Sequence, residues 1–525
     1  MNSDFPYTLR REPATAKNMV ATSQPLAVQA GLDMLKTGGN AVDAALATAI
    51  TLTVVEPTGC GLGSDAFAII WDGSKHYGIN GSGRSPAAWN YEKFAHLKEM
   101  PRTGWDTVTV PGAVSVWVAL SERFGKLPFE TLFKSAIDYA ESGFPVSPII
   151  AAQWKIAVEN YRGFPEFIKT FTIGGRAPEA GETFKCPRQA ESLIEIAQTK
   201  GESFYRGELA KKIAACSADE GGLMSLEDLA NHKPLWVDPI SVRYRGYDMY
   251  ELPPNGQGLA ALIALGVLDN FDLKIYPVDS ADSIHLQIEA MKIGFEIVKK
   301  HLADPDFMRV DYSQFLKPDF LKKLYERINL DRVLITDGNI PDDKDTVYLA
   351  AADGKGMMVS FIQSNYMGFG SGVVIPETGI TMQNRGLGFS LEKGHPNQVD
   401  GGKRPYHTII PAFVMKGKEP VLSFGVMGGH MQPQGHVQMM TRIFDHGMNP
   451  QAASDAPRWY WQKDDIVAVE NGFSEDVLVE LGRRGHKIIT NIPRSEFGGA
   501  QLILRRENDY IAGSDHRKDG MAAGF

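Results

Sequence analysis

Apolar residues recur at helical spacing from residue 25 to about residue 55, and the pattern breaks at Gly38-Gly39-Asn40. This predicts two helices, the first ended by a glycine and the second capped by the Asn40 side chain. The longest apolar run, residues 44–55, is 12 residues long, short of the roughly 18 that a membrane span needs. It reads as a buried helix. A glycine-rich stretch from Glu56 to Asp65 follows, then a short apolar strand over residues 66–71. Its glycines permit close approach to a ligand or simply to another backbone. Residues 106–110 read as a strand, and 113–124 and 127–142 as helices. Helical patterning then continues to about residue 219. Residues 242–252 read as a strand pair and 283–301 as an amphipathic helix. Later, short strands alternate with turns, with helices near 437–446 and 474–484.

The sharpest change lies at residues 337–345, Asp-Gly-Asn-Ile-Pro-Asp-Asp-Lys-Asp, which are acidic, turn-rich and have almost nothing to bury. Thr346-Val-Tyr-Leu-Ala-Ala-Ala352 then reads as a buried strand, Asp353-Gly354 as a hairpin turn and residues 357–362 as the returning strand. A two-residue turn sets Thr346 opposite Phe361, and a longer one pairing Ala352 with Met357 sets it opposite Gln363. Both bring the polar run Gln363-Ser364-Asn365 close to Thr346. One reading of the junction is a loop meeting a strand. The other is a self-cleaving proenzyme. There the Thr346 hydroxyl attacks the Asp345 carbonyl, an N-to-O acyl shift forms an ester, and water releases Thr346 as a new N-terminus. Its own α-amine, with an ordinary pKa of about 7.7–8.0, then serves as base for its hydroxyl.

Composition narrows the partners. The chain has 525 residues, 43% hydrophobic and 22% charged, which permits a sizeable core and excludes disordered classes. A net charge of −9 argues against nucleic acid as a partner and for a small molecule. Cys60, Cys186 and Cys216 are too few for a disulfide framework, and Cys60 reads as an inert buried thiol. The polar N-terminus lacks the apolar core of a signal peptide, so the expectation is a cytoplasmic protein with no membrane partner. HExxH, GxxxxGK[ST] and GxSxG are absent. His430 and His436 are conceivable ligands, but hydrogen-bonded histidines are commoner, and no metal or cofactor is expected.

Ordered segments along nearly the whole chain carry a resemblance. They include Met19-Val-Ala-Thr-Ser-Gln-Pro-Leu-Ala27, Gly38-Gly-Asn-Ala-Val-Asp-Ala-Ala45, Val55-Glu-Pro57, Glu289-Ala-Met-Lys292, Gly402-Lys-Arg-Pro405, Asp455-Ala-Pro-Arg458 and Ser514-Asp-His-Arg-Lys-Asp-Gly520. With them the chain resembles the γ-glutamyltranspeptidases (glutathione hydrolases) among the N-terminal nucleophile hydrolases. The resemblance implies an α+β fold, a four-layer αββα sandwich. It implies cleavage between Asp345 and Thr346 into a large chain, 1–345, and a small catalytic chain, 346–525. The two stay associated as one intertwined domain, and a homodimer of that heterodimer is left open. Thr346 matches the family's nucleophile. Gly428-Gly429 match the pair whose amides form the oxyanion hole. Arg84 matches the arginine that grips the substrate α-carboxylate, with a structural ion pair as its alternative reading.

Departures from the family pattern bear on substrate. In Met382-Gln-Asn-Arg-Gly-Leu-Gly-Phe389, Arg385 stands where a glutamine is expected, and Gly388 where an aspartate should hold the substrate α-amine. His407-Thr408 replace a serine pair that should meet the carboxylate. Asn365 keeps the expected asparagine, while Gln363 replaces a threonine. An anionic anchor is lost and a cation gained. The expectation is an amidohydrolase acting on a small amide with a carboxylate-bearing acyl group, with transfer to an amine as a second outcome. The alternatives are a true glutathione hydrolase and an uncleaved binding protein.

Overall fold

A computed structural model describes residues 11–336 and 346–525. Asp345, one half of the expected cleavage site, lies outside the described residues. The first two helices form at Pro25–Lys36 and Ala41–Val55. Asn40 accepts from the amides of Val42 and Asp43, and Asp43 returns a bond to the Asn40 amide, a reciprocal cap. Every residue of Ala41–Val55 is buried, as expected of a helix packed on all sides.

Two antiparallel sheets face each other. One runs in the order Met521–Gly524, Met19–Thr22, Val347–Ala352, Met358–Ser364, Asp65–Trp71, His76–Asn80, Leu235–Val237. Strands from before residue 81 therefore flank the hairpin that follows Thr346 on both sides. The other runs Ala14–Ala16, Tyr510–Ser514, Gly499–Arg505, Glu419–Met427, Ala412–Lys416, Tyr247–Glu251, Ile240–Tyr244. Between them Phe67, Tyr348, Ile362, Phe413 and Ile503 fill a shared core. Pro25–Lys36, Ala41–Val55 and Ala113–Phe124 cover the first sheet. Gly258–Leu268 and Met431–Phe444 cover the second, and Ala281–His301 packs against those two helices. The layers are helix, sheet, sheet, helix, the α+β sandwich that the resemblance implies.

Three local expectations change. Residues 106–110 join no sheet. A 3-10 turn at Trp105–Thr107 leads into extended chain whose partners are the Arg84 carbonyl and the Gln383 side chain. Residues 127–142 divide into a 3-10 segment, Phe129–Phe133, and a helix, Lys134–Ser142. The hairpin after Thr346 pairs Ala352 with Met358 and Val347 with Gln363. The Asp353 carboxylate holds the wider turn by accepting from the amides of Lys355 and Met357. Thr346 thus lies level with Ser364, one residue beyond the longer of the two expected registers.

Candidate active site

Thr346 is buried at the head of its strand, and its hydroxyl donates to Ser364 Oγ at 3.3 Å. Ser364 Oγ also accepts the Tyr366 amide at 2.8 Å. The glycine-rich stretch closes over this point, where the Gly59 carbonyl accepts the Asn365 amide at 3.2 Å. It approaches another backbone, the second of the two readings above.

The opposite sheet delivers the glycine pair to the same place. Ser423 Oγ donates to the Val359 carbonyl at 2.8 Å, Ser360 Oγ to the Phe424 carbonyl at 3.3 Å, and Gly425 lies against the Tyr348 ring. Val359 and Ser360 pair with Ala351 and Ala350. As the strand Glu419–Met427 advances, its neighbours therefore step back along the hairpin toward Thr346, and Gly428-Gly429 turn at that end. Their φ values of +111° and +55° are ones glycine adopts without strain. The Gly428 carbonyl accepts the Met431 amide at 2.9 Å, which turns the Gly429 N–H the opposite way. The Gly429 carbonyl accepts Gln257 Nε2 at 2.9 Å. Neither glycine N–H donates to a described residue. Two buried, unpaired amide donors suit an oxygen that gains negative charge.

Arg385 is buried, and its Nη1 donates to Thr408 Oγ1 at 2.7 Å. Its guanidinium lies 4.6 Å from the centre of the Tyr366 ring. Nε and Nη2 have no partner among the described residues. Burial pulls the pKa down to about 10, which leaves a cation at neutral pH. Asp65 and His407 sit beside it, with Nε2 and Oδ2 3.0 Å apart. Burial raises the Asp65 carboxyl to about 7, against the pull of Arg385 and of the Gly112 and Gly83 amides. Burial, reinforced by Arg385, holds the His407 imidazole well below its ordinary value.

Not every expected residue joins the site. The Arg84 guanidinium is already engaged by Asp304 at 3.0 Å, Asp306 at 3.1 Å and the Gly402 carbonyl at 2.6 Å, so the ion-pair reading is the one seen. Gln363 points to the helical layer, where it accepts from Trp117 Nε1 at 3.2 Å and donates to the Ala49 carbonyl at 2.8 Å. Successive strand residues face opposite ways, so within the polar run Gln363-Ser364-Asn365 it is Ser364 that meets Thr346. Asn365 braces the glycine loop, where its Oδ1 accepts Ser64 Oγ at 2.8 Å. Tyr366, Asp65 and Gln257 carry no local signal that would single them out in the sequence. Gln257 donates to the Thr408 carbonyl at 2.6 Å as well as to Gly429, and accepts Tyr406 Oη at 2.7 Å. It ties the glycine pair to the Arg385 pocket.

Cys60 is buried, and desolvation pushes its thiol well up, which suits an inert role. His436 is bonded to Glu251 at 2.6 Å and to the Val426 amide at 3.3 Å. Among the described residues a different trio, His285, Glu289 and His486, converges at metal-ligand spacing. The Lys292 ammonium, 2.8 Å from Glu289, already neutralises that carboxylate.

The gamma-glutamyltranspeptidase family model matches residues 27–525. The chain belongs to the gamma-glutamyltranspeptidase family. It is 36% identical to the glutathione hydrolase-like YwrD proenzyme of Bacillus subtilis, over 97% of this chain and 98% of the relative. It is 35% identical to the oxamate amidohydrolase proenzyme of Klebsiella pneumoniae over the same shares. A crystal structure of a cephalosporin acylase from Bacillus halodurans superposes with a TM-score of 0.96 at 48% identity, covering 100% of this chain and 99% of the other. The chain is thus a self-processing amidohydrolase of this gamma-glutamyltranspeptidase family, with an N-terminal nucleophile and large and small chains that stay together. The motifs that carried the resemblance meet in space. Glu56 pairs with Lys518 at 3.5 Å, and Arg458 with Asp515 in a fully buried contact. Among the described residues no helix is long and apolar enough to cross a membrane.

Proposed function

We propose that the enzyme hydrolyses a small amide whose acyl half ends in a carboxylate, bound by Arg385. Thr346 Oγ1 attacks the amide carbon, and its α-amine takes the proton and passes it to the leaving nitrogen. The Gly428 and Gly429 amides receive the oxyanion. Water then cleaves the Thr346 ester. The observation that carries this reading is the Arg385 guanidinium. Its Nε and Nη2 are buried and unpaired among the described residues, and together they form the side-on edge that binds a carboxylate through two parallel bonds. At Gly388 a Cβ would come 2.4 Å from the Tyr406 carbonyl oxygen. No acidic side chain fits there to hold an α-amine unless the backbone moves. Relatives named as an oxamate amidohydrolase and a cephalosporin acylase support an amide other than a γ-glutamyl one.

Matched amides of one amine test the reading. Glutaryl amides are expected to exceed neutral valeryl amides in kcat/KM by about 10- to 150-fold, the range of roughly 1.5–3 kcal/mol for a charged hydrogen-bond partner. Turnover of γ-glutamyl amides much faster than glutaryl ones would establish a glutathione hydrolase instead.

A pH dependence follows from Asp65. Below its pKa of about 7 the carboxyl is neutral and the Arg385 charge is uncompensated. Above it the Asp65 carboxylate competes for the same cation. KM for the glutaryl amide should therefore rise as pH passes upward through 7, and Asp65→Asn should flatten that rise at the low-pH value. A KM profile that keeps its step in the variant would remove Asp65 from the account.

A further inference from the structure

Between the helix Ala281–His301 and residues 387–397 lies a cavity of about 250 Å³. Phe295, Leu387, Phe389 and Trp461 form its apolar walls. The rings of Phe295 and Trp461 are 5.8 Å apart. Among the described residues that line it, the one carboxylate is Glu392, which is exposed at the mouth. Two links place the cavity beside Arg385. Arg385–Gly388 is a 3-10 turn, whose three residues per turn bring its first and last positions to one side, and Gly388 lines the cavity. The Tyr366 ring carries the Arg385 guanidinium at 4.6 Å and also lines the cavity. Thr346, Gly428 and Gly429 do not line it. The cavity therefore lies at the far end of the acyl half, away from the bond that breaks.

We propose that this cavity seats an apolar, ring-sized substituent on the acyl carbon that bears the carboxylate, where a γ-glutamyl substrate carries its α-ammonium. The inference rests on the Arg385 reading of that carboxylate. Gly388 stands at the position that should hold the α-amine, so a group on that carbon faces Gly388 and the cavity beside it. An ammonium there would meet the Arg385 cation and apolar walls, and would find no carboxylate inside the cavity. An apolar ring meets neither cost. A void of roughly 150 Å³ lined by apolar side chains is enough for a benzene ring, so the volume suffices. Aromatic walls also favour edge-on or offset ring contacts. An unsubstituted glutaryl group would reach Arg385 and leave those walls uncovered.

Glutaryl, γ-glutamyl and 4-phenylglutaryl amides of one amine differ only at that carbon, which carries a hydrogen, an ammonium or a phenyl ring. Wild-type KM is expected to be about 10-fold lower for the better enantiomer of the 4-phenylglutaryl amide than for the glutaryl amide, the size of one ring contact with burial. The γ-glutamyl amide should have the highest KM of the three. Ser390 is partly buried at the cavity edge and lies outside the Arg385–Gly388 turn, so Ser390→Trp fills the cavity without touching that turn. It should raise the 4-phenylglutaryl KM about 10-fold and leave the glutaryl KM within about twofold. 2-Phenylglutarate, the acid that hydrolysis releases, should raise the melting temperature of wild type more than glutarate does, and that excess should vanish in Ser390→Trp, which reads the cavity without turnover. Equal KM values for the 4-phenylglutaryl and glutaryl amides in wild type, together with equal melting shifts for the two acids, would overturn the proposal. So would equal losses on both amides in the variant. The 4-phenylpentanoyl amide, with a methyl group in place of the carboxylate, separates the two readings. Turnover equal to the 4-phenylglutaryl amide discards the Arg385 assignment, while its ratio to the valeryl amide still reads the cavity.

Discussion

Thr346→Ala is expected to run as one chain of 57.7 kDa on a denaturing gel. Wild type should give two chains of about 38 and about 20 kDa at roughly 110 Da per residue. The variant removes the oxygen that attacks the Asp345 carbonyl, so no ester forms and no N-terminal amine is released. Both the nucleophile and its base are lost in one substitution, and removal of a nucleophile costs on the order of 10⁶ in kcat. Thr346→Ser keeps an oxygen at the same atom and should still cleave itself. Intact mass of the small chain decides the position, since the first residue must be Thr346. Cleavage of the alanine variant at the same bond would transfer the role to another group. A folded wild type that stays whole would replace the enzyme by the uncleaved binding protein.

The second large effect is expected at Arg385. Arg385→Met keeps the length of the side chain and its contact with Tyr366 but removes every donor. Loss of one partner from a buried, hydrogen-bonded charge pair costs about 2–4 kcal/mol, roughly 30- to 1,000-fold in kcat/KM for a glutaryl amide. The neutral valeryl amide has no carboxylate to lose and should change little. Arg385→Lys restores the charge without the side-on pair of N–H groups and should recover only part of the loss. Equal loss on both amides would reduce Arg385 to a structural cation held by Thr408 and Asp65. The same variant tests the Asp65 account, because the KM step near pH 7 should vanish with the cation that Asp65 contests.

Much of the frame was legible along the chain. The Asn40 cap, the buried helix after it and the buried hairpin that follows Thr346 all depend on residues within a few positions of each other. The resemblance extended that reading to the αββα layers and to Thr346, since its segments recur in order over nearly the whole chain. The failures have a common cause. Residues 106–110 have strand-like composition, yet their backbone bonds with the Arg84 carbonyl and the Gln383 side chain rather than with a strand, and composition cannot report that. The two turn lengths that the sequence offers set Thr346 opposite Phe361 or Gln363, and the turn that forms is one residue wider than the longer of them. A difference of one residue in register exchanges the two faces of a strand, and Ser364 stands there instead.

By itself the sequence determined the elements, the family and the candidate nucleophile, because spacing, caps and residue type are local quantities and the family segments are read in order. Only the tertiary structure decided which charges meet. Asp304 and Asp306 reach Arg84 across more than 200 positions of chain and occupy it. Asp65 meets His407 across 342. Arg385, which sequence marked only as a departure, became the buried cation with two unpaired donors. Those outcomes follow from packing and from desolvation, and neither is encoded within any window short enough to read from the chain.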